Sequence, residues 1–123
     1  MILVINYLKG GEKIMKKYML LYLSPISAED QMKMSPEEAK KGTDAWMAWF
    51  KKSGSAIVDG GTPLGMSMNV TPTAISKGLT KVSGYSIVQA DSVEGVKMML
   101  MDNPFFMMPD TSIEVLEVMP VAM

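Results

Sequence analysis

The strongest constraint on this chain is a helix whose two ends are both written in the sequence. Ser35-Pro36-Glu37-Glu38 is a capping box. The serine hydroxyl accepts from the N3 amide, Glu38 reaches back, Pro36 suits the first helical position, and the acids sit at the positive end of the helix dipole. At the far end Gly54 supplies a left-handed stop, with Lys51 and Lys52 facing the negative pole. The spacing predicts a helix over residues 35–53 with an apolar stripe of Ala39, Thr43, Trp46, Trp49 and Phe50. A stripe of that kind needs an apolar layer to rest on.

The flanking segments supply that layer. Residues 17–23 are apolar and aromatic and are closed by Ser24-Pro25, which predicts a first strand. Residues 55–59 form a second strand, ended by Gly60-Gly61. The stretch 62–77 carries Pro63, Gly65, Asn69 and Pro72 with little periodicity and reads as an ordered loop, with one bridge-like strand near residues 68–71. Residues 84–90 alternate Tyr85, Ile87 and Gln89 against Ser86, Val88 and Ala90, a third strand. Asp91-Ser92-Val93-Glu94 caps a second helix that carries Val96, Met99 and Leu100 inward and stops before Pro104. Residues 112–119 alternate Ile113, Val115 and Glu117 against Glu114, Leu116 and Val118, a fourth strand.

The order β-α-β-β-α-β predicts an α+β domain of ferredoxin-like type, an antiparallel sheet with two helices on one face. Two helices cover only one face of a sheet whose strands are apolar on both. The bare face is therefore expected to pack against a second copy, making a homodimer.

The leader 1–14 is read as an N-terminal extension to a domain over 15–123. Lys9-Gly10-Gly11-Glu12-Lys13 can be encoded by a purine-rich run resembling a bacterial ribosome-binding site just ahead of Met15, so Met15 is a candidate start. The competing reading is a short extra strand over residues 2–8, from the β-propensity of its Ile and Val residues.

Composition bounds the chemistry. The chain has 123 residues, one domain's length, with no Cys and no His. Imidazole bases, thiolate nucleophiles, disulfides and the usual metal ligands are therefore missing, and no metal or cofactor is expected. All 12 basic residues are Lys, and the net charge is -1. No basic field exists for a nucleic-acid backbone or an anionic membrane. The apolar run at residues 2–5 is too short for a signal-peptide core or a membrane span, so the expected location is cytoplasmic. No phosphate loop, dinucleotide fingerprint, calcium loop or nucleophile elbow occurs. Met is the outlier, with 15 residues, many in close pairs. These are expected to fill irregular core gaps rather than to bind Cu(I).

Several pieces in this order and spacing carry a resemblance: Met19-Leu20-Leu21-Tyr22, Ser35-Pro36-Glu37-Glu38, Trp46-Met47-Ala48-Trp49, Val58-Asp59-Gly60-Gly61-Thr62-Pro63-Leu64, Gly84-Tyr85-Ser86-Ile87-Val88, Asn103-Pro104 and Ile113-Glu114-Val115. Together they resemble the YCII-related family over residues 16–120. The resemblance implies a dimeric ferredoxin-like α/β barrel with a pocket between the sheet, the first helix and the loop after the second strand. Two departures stand out. The Asp-Gly-Pro-Phe tetrad of one large branch is replaced by Gly78-Leu79-Thr80-Lys81-Val82-Ser83, and the histidine proposed to pair with an aspartate has no counterpart. Asp59 stands where that aspartate is expected but lacks its partner, so inheritance of the dyad chemistry is not supported.

The candidate site residues follow. Asp59, at the end of the second strand, is the candidate general base; the competing reading has it accepting backbone N–H bonds from the Gly60-Gly61 turn. Trp46 and Trp49, one helical turn apart, form either an aromatic wall for a planar ligand or core packing. Tyr22 and Tyr85 are strand residues whose hydroxyls either donate hydrogen bonds that orient a ligand or simply end at the surface. Pro63, in the loop after the second strand, and Ser83 and Lys81, ahead of the third, lie near the expected cleft. The function expected is binding of a small apolar or cyclic organic molecule. Relatives of this barrel type suggest cofactor-free lyase, isomerase or oxygenase chemistry; the alternative is a non-catalytic dimeric binding or regulatory module.

Overall fold

The computed structural model describes residues 2–3 and 15–122. In chain order its elements are β1 (Ile2–Leu3), β2 (Lys16–Leu23), α1 (Ala28–Gln31), α2 (Pro36–Ser53), β3 (Ile57–Pro63), β4 (Met68–Val70), β5 (Ile75–Lys77), β6 (Val82–Ala90), α3 (Val93–Leu100), β7 (Ser112–Val118) and β8 (Val121–Ala122). Of the leader, Ile2–Leu3 pairs antiparallel with Val121–Ala122; the remainder of the strand expected over 2–8 lies outside the described residues.

The caps act as expected. Ser35 Oγ accepts from the Glu38 N–H at 3.2 Å, and Gly54, at φ 55°, donates its N–H to the Phe50 carbonyl. Lys52, in the last turn, pairs with Asp102 and ties the end of α2 to the segment after α3.

Four strands form one antiparallel sheet in the order β3-β6-β2-β7. Period-two alternation sorts its side chains. Tyr18, Leu20 and Tyr22 of β2, with Ser86, Val88 and Ala90 of β6, are buried on one face. There they pack with Trp49 of α2, Val96 and Leu100 of α3, and Phe105 from the 3-10 turn Pro104–Met107. Leu20 and Val88 are wholly buried, each stabilising the fold by about 1.5–3 kcal/mol. The opposite face presents Met19, Leu21 and Ile87, half-buried, beside the exposed Leu116 and Val118.

Four expectations are corrected. Gly60-Gly61 does not end the second strand. β3 runs through it as a bulge, its register with β6 stepping from Ile57 opposite Val88, through Asp59 opposite Ile87, to Thr62 opposite Tyr85. Gly61 sits at φ 75°, and a Cβ there would lie 1.7 Å from the Tyr85 carbonyl oxygen, so only glycine fits. The stretch 62–77 holds a hairpin rather than one bridge-like strand: β4 and β5 pair with Met68 opposite Lys77 and Val70 opposite Ile75. Along α2 only Trp49 is buried, while Ala39 and Thr43 are exposed, because the first half of the helix overhangs a cavity instead of resting on the sheet. Finally, ten of the thirteen described methionines whose burial is defined are exposed; only Met99 and Met108 pack against the core. Methionine here coats surface more than it fills gaps.

Candidate functional site

The cavity under the first half of α2 has a volume of about 490 Å³. Its walls come from α2, the centre of the sheet, the β3 bulge and the turn Pro104–Met107. Local sequence explains the gap. Gly42 offers no side chain on the α2 wall, where a Cβ would meet nothing within 4 Å, and Gly60, Gly61 and Gly84 leave the facing strands bare.

Of the residues singled out from sequence, Tyr22, Trp46, Pro63, Ser83 and Tyr85 line this cavity. Tyr22 is the centre of an aromatic group: its ring meets Trp46 edge-on with centroids 5.4 Å apart and Phe105 at 5.0 Å. Trp46 also meets Phe50 at 5.8 Å. These are favourable edge and tilted geometries, and they hold the wall in one arrangement. Ser83 is buried and spends its hydroxyl on the Tyr22 carbonyl at 3.2 Å, which makes it a brace between strands.

Trp49 and Asp59 stand outside the lining. Trp49 is buried, and its indole N–H donates to the Met99 carbonyl at 3.0 Å, locking α2 to α3. Asp59 is exposed; one carboxylate oxygen accepts from the Gly61 N–H at 2.8 Å and the other from the Tyr85 hydroxyl at 3.2 Å. Since Ser86 points to the helix face, alternation carries the neighbouring Tyr85 side chain to the other face. The Asp59–Tyr85 pair therefore lies across the sheet from the cavity, which Tyr85 borders along its strand. The hydrogen bond that Tyr85 donates to Asp59, then the charge of that carboxylate, raises the Tyr85 pKa above the ordinary value.

The polar end of the cavity was missed by sequence reasoning. The Tyr22 hydroxyl lies 2.9 Å from Ser86 Oγ, and Ser86 Oγ donates to the Gly60 carbonyl at 2.7 Å. Tyr22 sits opposite Gly84, not Ser86, and reaches its partner diagonally over the bare glycine. One signal was legible: Ser86 is a polar residue on the inward face of an apolar strand. Burial raises the Tyr22 pKa, and the Ser86 and Asn103 side chains draw it partly back.

Lys81 borders a second cavity, of about 630 Å³, between residues 24–29 and the β4–β5 hairpin. Among the described residues no three carboxylates converge to hold a metal ion, and no helix is long and apolar enough to cross a membrane. No family model matches the chain, and no curated protein matches it.

Proposed function

We propose that this is a YCII-related, cytoplasmic protein of ferredoxin-like topology that pairs with a second copy and holds a small apolar or cyclic organic molecule under α2. The observation that carries the reading is the cavity of about 490 Å³, walled by Tyr22, Trp46, Phe50 and Phe105. Its size and its largely apolar walls with a few polar groups are those of small-molecule sites. The strand order β3-β6-β2-β7, with α2 and α3 on one face, supports the ferredoxin-like assignment. The apolar side chains Met19, Leu21, Ile87, Leu116 and Val118 on the other face support self-association.

Between the two forms of this reading, a non-catalytic binding module is favoured over a cofactor-free lyase, isomerase or oxygenase. Asp59, the candidate base, has both oxygens committed to Gly61 and Tyr85 and lies outside the cavity lining. Native mass spectrometry of the full chain tests the proposal. A dimer carrying a discrete small extra mass is expected; a bare monomer overturns it. Asp59→Asn then separates the two forms: a binder keeps its ligand, whereas an enzyme using Asp59 as general base loses turnover by about 10²–10⁴-fold.

A further inference from the structure

Proton accounting at the sealed end of the cavity says what kind of group an occupant must bring. A serine hydroxyl has one proton. The Gly60 carbonyl can only accept, so Ser86 gives its proton there, at 2.7 Å. The 2.9 Å contact between Ser86 and Tyr22 must then run the other way, with Tyr22 donating. Tyr22 has no second proton. What its oxygen retains is acceptor capacity alone.

Asn103 stands close to that oxygen without a hydrogen bond to it. It is 2% exposed, and its Oδ1 accepts the Phe105 N–H at 2.8 Å. Its Nδ2 is buried with no partner at hydrogen-bonding geometry, yet the side chain lies near enough to the Tyr22 hydroxyl to draw its pKa down. Asn103 is not part of the cavity lining. Tyr22 and Ser86 do line the cavity, so the remaining acceptor capacity of the phenol oxygen lies at the cavity wall. The charged groups of the cavity, Glu38 and Lys41, are exposed at its mouth and stay solvated.

Building on the reading of this cavity as a ligand site, we propose that the Tyr22–Ser86–Gly60 relay makes Tyr22 an obligate hydrogen-bond acceptor, so that the cavity selects apolar molecules bearing a hydroxyl or N–H donor. An isostere that offers only a carbonyl or ether oxygen meets lone pair against lone pair and is disfavoured.

The test uses the full chain and three neutral probes of one ring system, 2-naphthol, 2-methoxynaphthalene and 2-acetylnaphthalene, with binding measured calorimetrically at neutral pH. The expected result is that 2-naphthol binds about tenfold tighter than the ether or the ketone, the effect of one net hydrogen bond. Tyr22→Phe is expected to abolish that advantage. Ser86→Ala goes further: it releases the Tyr22 proton toward the cavity, and the preference moves toward 2-acetylnaphthalene. A merely structural role for Ser86 weakens all three probes alike and overturns the proposal. Equal binding of the three probes to the unmodified chain also overturns it, while leaving the cavity reading intact. If none of the three binds, both fall.

Discussion

Tyr22 and Tyr85 stand on neighbouring strands of one sheet, Tyr85 opposite Leu21 and Tyr22 opposite Gly84, yet they point to opposite faces and answer to different physics. Tyr22 is sealed among aromatic rings, and burial is the main reason its phenol resists ionisation. Tyr85 resists because a carboxylate holds its proton. Both networks hang from consecutive residues of β3: the Asp59 side chain serves Tyr85, and the Gly60 carbonyl serves Ser86 and through it Tyr22. The same direction of pKa shift thus marks an aromatic-walled cavity on one face and a surface clasp on the other. A perturbed titration alone does not locate a site; its cause does.

The comparison is broken most severely by truncation. Tyr22→Ala is expected to cost about 3–5 kcal/mol in urea unfolding, since a large ring leaves the core, and Tyr85→Ala much less. Equal losses would mean that the two faces are equally packed, and a Tyr85→Ala loss that grows with protein concentration would sharpen the case for a second copy on the open face. Next comes the shared support. Gly61→Ala is expected to destabilise by at least about 1–3 kcal/mol, because the bulge needs positive φ and no Cβ. If both networks depend on the bulge, the variant disturbs the Tyr85 and the Tyr22 titrations together, as ultraviolet absorbance will report. The smallest effect is electrostatic. Asp59→Asn is expected to lower the Tyr85 pKa toward the ordinary 10.0 and leave that of Tyr22 raised. A downward shift of both phenols refutes the assignment of causes. The sign for stability is the same for both residues. A folded pKa above the unfolded value means that stability is intact below about pH 10 and lost as pH rises through the folded pKa, when the unfolded chain ionises first.

Much of this architecture was legible because its signals are local. The Ser35 cap, the Gly54 stop and the alternation of residues 84–90 each specify an element from a few neighbouring residues. Elements without such signals are harder to read. A strand near residues 68–71 is expected and β4 forms there, but its partner β5 carries no apolar alternation, because both faces of the hairpin are exposed. The single turn α1 was passed over although Ser27 caps it by accepting from the Asp30 N–H. At the site, Tyr22 and Trp46 were recoverable as aromatics on inward faces. The relay was not, because it joins side chains 64 residues apart through a diagonal that exists only once β2 and β6 are in register. Trp49 could not be told from Trp46 by spacing; what separates them is that the sheet lies beneath one and a cavity beneath the other.

The sheet order has a consequence for how the chain is made. Strand β2 emerges early in synthesis, but its partners are β6 and β7, the latter ending at Val118. Contacts so distant in sequence form slowly, since loop closure precedes any gain. The local signals of α2 let it begin to coil soon after its residues appear, while the apolar run Tyr18 to Leu23 waits with both edges unpaired. A nascent chain halted before Ser112 therefore lacks more than a last strand: its central strand, on which Tyr22 and the cavity depend, is left with a bare and sticky edge.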